Sequence, residues 1–249
     1  MPTIALTIDG LGVSFGNVKA VNNVSMFVEE GELRVLLGAN GAGKTTLMDL
    51  ISGRTHSTRG RVALYDTDIT NWQEHKIARA GIGRKFQIPS IFRELSVRCN
   101  LEVASCRNPS VIANLGFGFS DEARSRIEHV LAVVGLQDQV DETAAFLSHG
   151  QTQWLELGLL MLHNPKVILL DEPTAGMTAA ETHKTAEIID GMRGQHTILV
   201  VEHDMAFVRE IAEKITVLHL GEILAEGSIT EIENNPMVRK AYLGSRGIA

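Results

Sequence analysis

An apolar run, Glu32 to Leu37, opens directly onto Gly38-Ala39-Asn40-Gly41-Ala42-Gly43-Lys44-Thr45, and few folds accept such a junction. The string fits G-x-x-x-x-G-K-[ST], in which glycines let backbone N–H groups wrap phosphates at a helix N-terminus. Lys44 to Ser52 then reads as a helix stopped by Gly53, so the local order is strand, glycine loop, helix. In this motif Lys44 reaches the β- and γ-phosphates and Thr45 offers its hydroxyl to Mg²⁺. Gly38, Asn40, Gly41, Ala42, Gly43, Lys44, Thr45 and Thr46 are therefore the expected ATP-binding loop. A glycine turn that merely opens a helix is the alternative for these residues alone.

A second junction narrows the choice. Val167-Ile168-Leu169-Leu170 is an apolar strand that ends in Asp171-Glu172, and acids there stand at the carboxyl edge of a sheet, where α/β proteins bind ligands. Asp171 is suited to hold the Mg²⁺ water shell, and Glu172 to polarise an attacking water. Two acids capping a buried strand would mean little without the glycine loop.

Strand patterns recur at Ile4 to Val13, an edge-type alternation, and at Val24 to Val28, Arg61 to Tyr65, Ile82 to Phe86, His196 to Val201 and Ile215 to Leu220. From Val97 to Val134 the pattern turns helical, with Ser120 as N-cap and Gly135 as C-cap. Thr178 with Glu181 and Ser228 with Glu231 have capping-box spacing. Strands alternating with helices predict a mostly parallel sheet interrupted by one helical insertion. The expected organisation is one domain over 1–249, with 1–86 and 163–249 as core and 87–162 as helical lobe.

Charge and composition remove other classes. The 249 residues carry a net charge of −7, which disfavours a polyanion such as nucleic acid as partner. The two cysteines, Cys99 and Cys106, match neither a zinc spacing nor a disulfide scaffold. Met1 to Asp9 lacks a basic region followed by an apolar core, so no signal peptide is expected. Apolar stretches such as Trp154 to Leu162 fall short of the roughly 18 residues of a membrane helix, so attachment to a membrane is expected only through a partner. His56, His75, His129, His183 and His196 are expected at the surface, with no metal cluster among them.

Leu147-Ser148-His149-Gly150-Gln151 resembles the signature peptide of ABC ATPases. The resemblance covers almost the whole chain: Phe15, the glycine loop, Gln87, the signature, Asp171-Glu172 and His203 follow in the family's order. It implies a P-loop NTPase core of α/β class, with an antiparallel β subdomain and an inserted α-helical subdomain. It further implies that Phe15 stacks on adenine beside Val18, and that Gln87 touches Mg²⁺ or the attacking water, which with Thr45 and Asp171 completes the metal set. Gln87 would also link the site to Ile88 to Phe92, the segment facing the membrane subunits. His203 would contact the γ-phosphate and help position Glu172. Ser148, His149, Gly150 and Gln151 would act in trans, on ATP held by a second ATP-binding subunit, identical or a sister chain. Two membrane-spanning permease subunits, and a periplasmic substrate-binding protein acting through them, are the other implied partners. Together they place the chain at the cytoplasmic face of a bacterial inner membrane.

Departures from the commonest signature point to a branch. His149 stands where glycine is usual, no basic residue follows in Gln151 to Glu156, and Ala175-Gly176-Met177-Thr178 replaces a loop that usually carries aspartate. These strings, with Gly83 to Gln87 and the tail Val238 to Gly244, are similar to those of importers of urea, short amides and branched-chain amino acids. Urea or a short amide is the first expectation, and branched-chain amino acids or a lipopolysaccharide-type export role are the alternatives. A non-transport ABC ATPase would need heptad arms or a duplicated cassette, and neither is present. If His149 lies near the γ-phosphate, its protonation would make hydrolysis pH-sensitive between about pH 5 and 8; a solvated histidine is the other reading.

Overall fold

The computed structural model describes residues 2–85, 91–106 and 120–243. In chain order these form β1 (Ile4–Phe15), β2 (Val18–Glu29), β3 (Leu33–Leu37), α1 (Lys44–Ser52), β4 (Arg59–Leu64), β5 (Thr67–Asp68), α2 (Glu74–Ala80) and β6 (Ile82–Lys85). There follow α3 (Val97–Ser105), α4 (Asp121–Val134), α5 (His149–His163), β7 (Val167–Asp171), α6 (Ala179–Met192) and β8 (Thr197–Glu202). The chain continues with α7 (Met205–Ile211), β9 (Lys214–His219), β10 (Glu222–Gly227) and α8 (Ile229–Asn234).

These residues divide into two compact units. The first takes the segments up to Arg84, Pro165–Pro173 and from Arg193 onward; the second takes Lys85–Asn164 and Thr174–Met192. Residues 174–192 thus group with the helical unit, whereas the sequence pattern ended that lobe at 162. The grouping rests on contacts between residues far apart in the chain: the Trp154 indole N–H donates to the Thr185 hydroxyl at 3.0 Å.

Six strands of one sheet run in the order β10-β9-β3-β8-β7-β6. β3 pairs in parallel with β8 and β9, and β7 with β8. Every residue of β3, β7 and β8 is buried, which is why these strands read as continuous apolar runs rather than alternations. Leu47, Met48, Leu50 and Ile51 of α1 join Leu36 and Leu169 of this sheet in one core. Each such side chain, fully buried, contributes about 1.5–3 kcal/mol. The core therefore fixes where the glycine loop begins.

A second, antiparallel sheet has the order β2-β1-β4-β5. β1 was expected at an edge, but it pairs with β2 on one side and β4 on the other. Alternation reports one buried face, and an interior strand of a one-faced antiparallel sheet alternates just as an edge does. In the helical unit Ser96, Ser120 and Ser148 each accept a backbone N–H at the start of α3, α4 and α5, and Gly135, at φ 67°, ends α4. Gly158 lets α4 approach α5, since a Cβ there would lie 3.0 Å from Val130.

Candidate functional site

β3 delivers the chain into the loop as fully buried backbone, and two kinds of constraint then shape it. Gly41 and Gly43 take φ 79° and 102°, a region side chains disfavour. At Gly43 space is also closed, because a Cβ would overlap the Ala20 carbonyl oxygen. Gly43 is the N-cap of α1 and offers no side-chain cap, so the first N–H groups of the helix are left for a ligand. The Lys44 ammonium donates to the carbonyls of Gly38 at 2.6 Å and Ala39 at 3.1 Å. Burial lowers its pKa, while Glu172, Asp171 and Glu202 oppose the shift, so three acids lie within electrostatic reach of this cation.

Those acids end two adjacent strands. Asp171 closes β7, is 5% exposed, and among the described residues neither of its carboxylate oxygens accepts a hydrogen bond at ordinary distance. Its pKa is raised chiefly by burial, with Arg84 opposing, Glu172 and Asp49 adding, and the Thr45 hydroxyl near enough to favour the ionised form. Two buried carboxylate oxygens beside a threonine hydroxyl suit a hard cation that takes oxygen ligands and keeps several waters. Among the described residues no group of three His, Cys, Asp or Glu side chains could hold a metal by itself, so such a cation would need phosphate oxygens as well.

Glu172 sits at φ 46°, a left-handed conformation that costs a non-glycine residue about 1–3 kcal/mol. Its N–H donates to Val201 of β8 at 3.0 Å. The strained turn sends the carboxylate toward His203, whose Nδ1 lies 3.2 Å from Glu172 Oε1. His203 is tied in turn by Glu202, which accepts its backbone N–H at 3.0 Å. Residues of the loop from Asn40 to Thr46, together with Glu172 and Val18, line a cleft of about 490 Å³. Phe15 pairs with Val18 across the β1–β2 turn and is 55% exposed, so it is no core phenylalanine.

The structure therefore gathers Gly38 to Thr46, Val18, Asp171, Glu172 and His203 in the first unit, with Phe15 beside Val18. Gln87 lies outside the described residues. The signature residues belong to the second unit, where Ser148 and Gln151 form a reciprocal cap on α5: Ser148 Oγ accepts from Gln151 N–H at 3.2 Å, and Gln151 Oε1 accepts from Ser148 N–H at 2.9 Å. The His149 ring is 3.1 Å from the Ala175 carbonyl through Nε2. A Cβ at Gly150 would lie 2.5 Å from Glu181 Oε1, so that side chain would have to move aside for any larger residue. Thr178 chiefly, then the Gly150 N–H and the Ser148 hydroxyl, hold the Glu181 carboxyl below its usual range.

Four residues of these sites were not found from sequence. Arg84 donates to Asp49 at 2.6 Å and Ser52 at 2.8 Å, and stands 3.6 Å from Asp171; an arginine inside a strand pattern was its only signal. Glu202 is buried at the end of β8, Glu181 showed only as a helix cap, and Leu220 lines the cleft from the β9–β10 turn. His196, expected at the surface, is 3% exposed and its Nδ1 lies 2.7 Å from the Pro165 carbonyl. A polar residue flanking a strand becomes buried when a carbonyl satisfies it, and spacing does not report that partner.

The raised Asp171 pKa has a sign that can be tested. Between the unfolded carboxylate value and the folded one, the native chain holds a proton the unfolded chain has lost, so stability falls as pH rises through that window. Above that window the buried carboxylate carries the full cost in the ligand-free protein. Asp171→Asn should raise the ligand-free melting temperature by about 2–4 °C, the effect of ~1 kcal/mol in a chain of this size. It should also abolish the extra stabilisation that Mg²⁺ adds to ATP. Thermal melts with and without Mg²⁺ check both, and a lower ligand-free melting temperature would contradict the sign.

Residues 21–175 match the family model described as ABC transporter, a span that holds the glycine loop, the signature and the acidic pair. The chain belongs to the ABC transporter family. It is an ATPase that binds ATP with Mg²⁺. This ABC ATPase is 38% identical over 248 residues to the high-affinity branched-chain amino acid transport ATP-binding protein BraF of Pseudomonas aeruginosa, covering 96% of this chain and 97% of the relative. It is 36% identical over 250 residues to LivG of Escherichia coli, of the same description, with 96% and 97% covered. Among solved structures, the ADP conformation of MJ1267, an ATP-binding cassette of an ABC transporter, aligns with a TM-score of 0.83 at 30% identity, covering 97% of this chain and 99% of that one. No helix among the described residues of the ABC ATPase is long and apolar enough to cross a membrane.

Proposed function

We propose that the chain is the ATP-hydrolysing subunit of an importer of branched-chain amino acids. The observation that carries this is the end-to-end likeness to BraF, 38% identical over 248 residues. The strings that first suggested urea or short amides are similar across the wider group of importers. Neither BraF nor LivG is named for urea, so branched-chain amino acids take first place.

In this reading the Gly38–Thr45 backbone cradles the phosphates, and Lys44 leaves its carbonyl partners for the β- and γ-phosphates. Thr45 and Asp171, with Gln87, would hold Mg²⁺, whose chemistry there would be to neutralise the charge that develops on the phosphates during phosphoryl transfer. Glu172 takes a proton from the attacking water as its oxygen bonds to the γ-phosphorus, while the bond from that phosphorus to the β–γ bridging oxygen breaks and ADP leaves with that oxygen. His203, 3.2 Å from Glu172, keeps that carboxylate oriented and offers a donor toward the γ-phosphate. Phe15 stacks on adenine with Val18 at its side, a contact worth about 0.5–1.5 kcal/mol beyond its area.

Ser148, His149, Gly150 and Gln151 stand at the start of α5, where backbone N–H groups and the helix dipole favour an anion. They serve ATP bound to a second ATP-binding subunit, so one subunit alone has no complete site. A dimeric ABC cassette is known among the structural neighbours. Two permease subunits and a periplasmic binding protein complete the importer, which puts this chain at the cytoplasmic membrane face. Reconstituted vesicles of the whole complex should take up labelled leucine, with uptake lost in Glu172→Gln. Uptake of urea without leucine would overturn the substrate reading and leave the motor intact.

A further inference from the structure

β9 and β10 are joined by the two-residue turn Leu220-Gly221, with His219 paired to Glu222. Both turn residues have positive φ, 48° and 81°, the requirement of a tight hairpin that favours Asn-Gly. Leucine is disfavoured in that region. Nor does it gain burial there, since Leu220 is 73% exposed. Neither the turn nor the core explains an apolar side chain at this position.

The turn is firmly held against the nucleotide loop. The Gly221 N–H donates to the Ala42 carbonyl at 2.9 Å, and Gly221 accepts from the Asn22 N–H at 2.8 Å. Leu220 is thereby fixed on the lining of the cleft that also holds Val18 and Lys44. Val18 is 66% exposed and its cross-strand neighbour Phe15 is 55% exposed. An apolar rim above an anion-binding floor divides the cleft as ATP itself is divided, into a flat purine and a triphosphate.

We propose that Leu220, together with Val18 and Phe15, forms the wall that receives the nucleobase of ATP, and sets affinity for the base rather than for the phosphates. This rests on the reading that the triphosphate lies in the Gly38–Thr45 loop. The test measures binding of ATP and of inorganic tripolyphosphate to the full chain by calorimetry. Leu220→Asn, which suits the turn, should weaken ATP about fivefold and leave tripolyphosphate unchanged. Its ligand-free melting temperature should stay level or rise by about 2 °C. Affinity would then fall with no loss of stability, which loss of a merely structural residue does not produce. Leu220→Gly, also compatible with positive φ, carries the same expectation for ATP, and Leu220→Met should retain wild-type affinity. An unchanged ATP affinity in both turn-compatible variants would overturn the inference, as would equal weakening of ATP and tripolyphosphate. Lys44→Ala tests the reading beneath it: ATP binding that survives that change would overturn the loop assignment and the inference with it.

Discussion

Glu172→Gln is expected to lower ATP turnover in the assembled transporter by about 10²–10⁴-fold, the usual contribution of a positioned general base, while ATP binding persists. The amide matches the carboxylate in size and still reaches His203, but it accepts no proton. The backbone at φ 46° and the bond from Glu172 N–H to Val201 do not depend on the side-chain charge, so the strained turn survives. Phosphate release gives the rate. Thermal stabilisation by ATP gives the binding, and ligand at about 100 times its dissociation constant should still add ~2.7 kcal/mol. Turnover within tenfold of wild type would remove Glu172 from the role of base. Loss of ATP stabilisation would instead mean that the turn had collapsed, and His203→Ala separates the two. That variant lacks the 3.2 Å partner but keeps the turn, and should lose turnover while retaining ATP stabilisation.

What the sequence made legible was local. Buried strands such as Leu33–Leu37 and Val167–Asp171 announce themselves because both faces must be apolar, and an abrupt change to glycine or acid marks where each ends. Caps were equally readable: Gly53, Ser120, Gly135 and the Ser228–Glu231 box all stand where their spacing put them. Hidden features depend on neighbours distant in the chain. Whether β1 lies at an edge is decided by β4, some fifty residues later. β10 escaped notice because its residues are half-buried or exposed and mostly lack an apolar alternation. Arg84 was legible only as an arginine inside a strand pattern, because Asp49 and Asp171 approach it from two other elements. The candidate site divides in the same way. Its phosphate loop and acids carry their own spacing, whereas Leu220 joins the cleft only because a turn two hundred residues from Val18 is bonded to Ala42.

Gly43→Ala should be the most damaging small substitution in the loop, and Gly41→Ala its informative control. Both glycines have positive φ, 102° and 79°, so alanine at either meets backbone strain of about 1–3 kcal/mol. Of the two, Gly43 is also closed in by neighbours: its Cβ would overlap the Ala20 carbonyl and lie 3.4 Å from Leu218, whereas no described residue stands within 4 Å of a Cβ on Gly41. Relieving the overlap means moving β2 or the start of α1, an overpacking cost of about 1–3 kcal/mol more. With about 2–4 °C lost per kcal/mol in a chain of this size, Gly43→Ala should melt roughly 5–15 °C lower and lose ATP binding, because the N–H groups at the start of α1 shift with it. Gly41→Ala should fall by only a few degrees and keep measurable ATP affinity. Equal losses in the two variants would mean that φ alone dictates glycine in this loop. A loss confined to Gly43 would locate the constraint in the close approach of β2, which makes the antiparallel sheet part of the nucleotide site rather than an appendage to it.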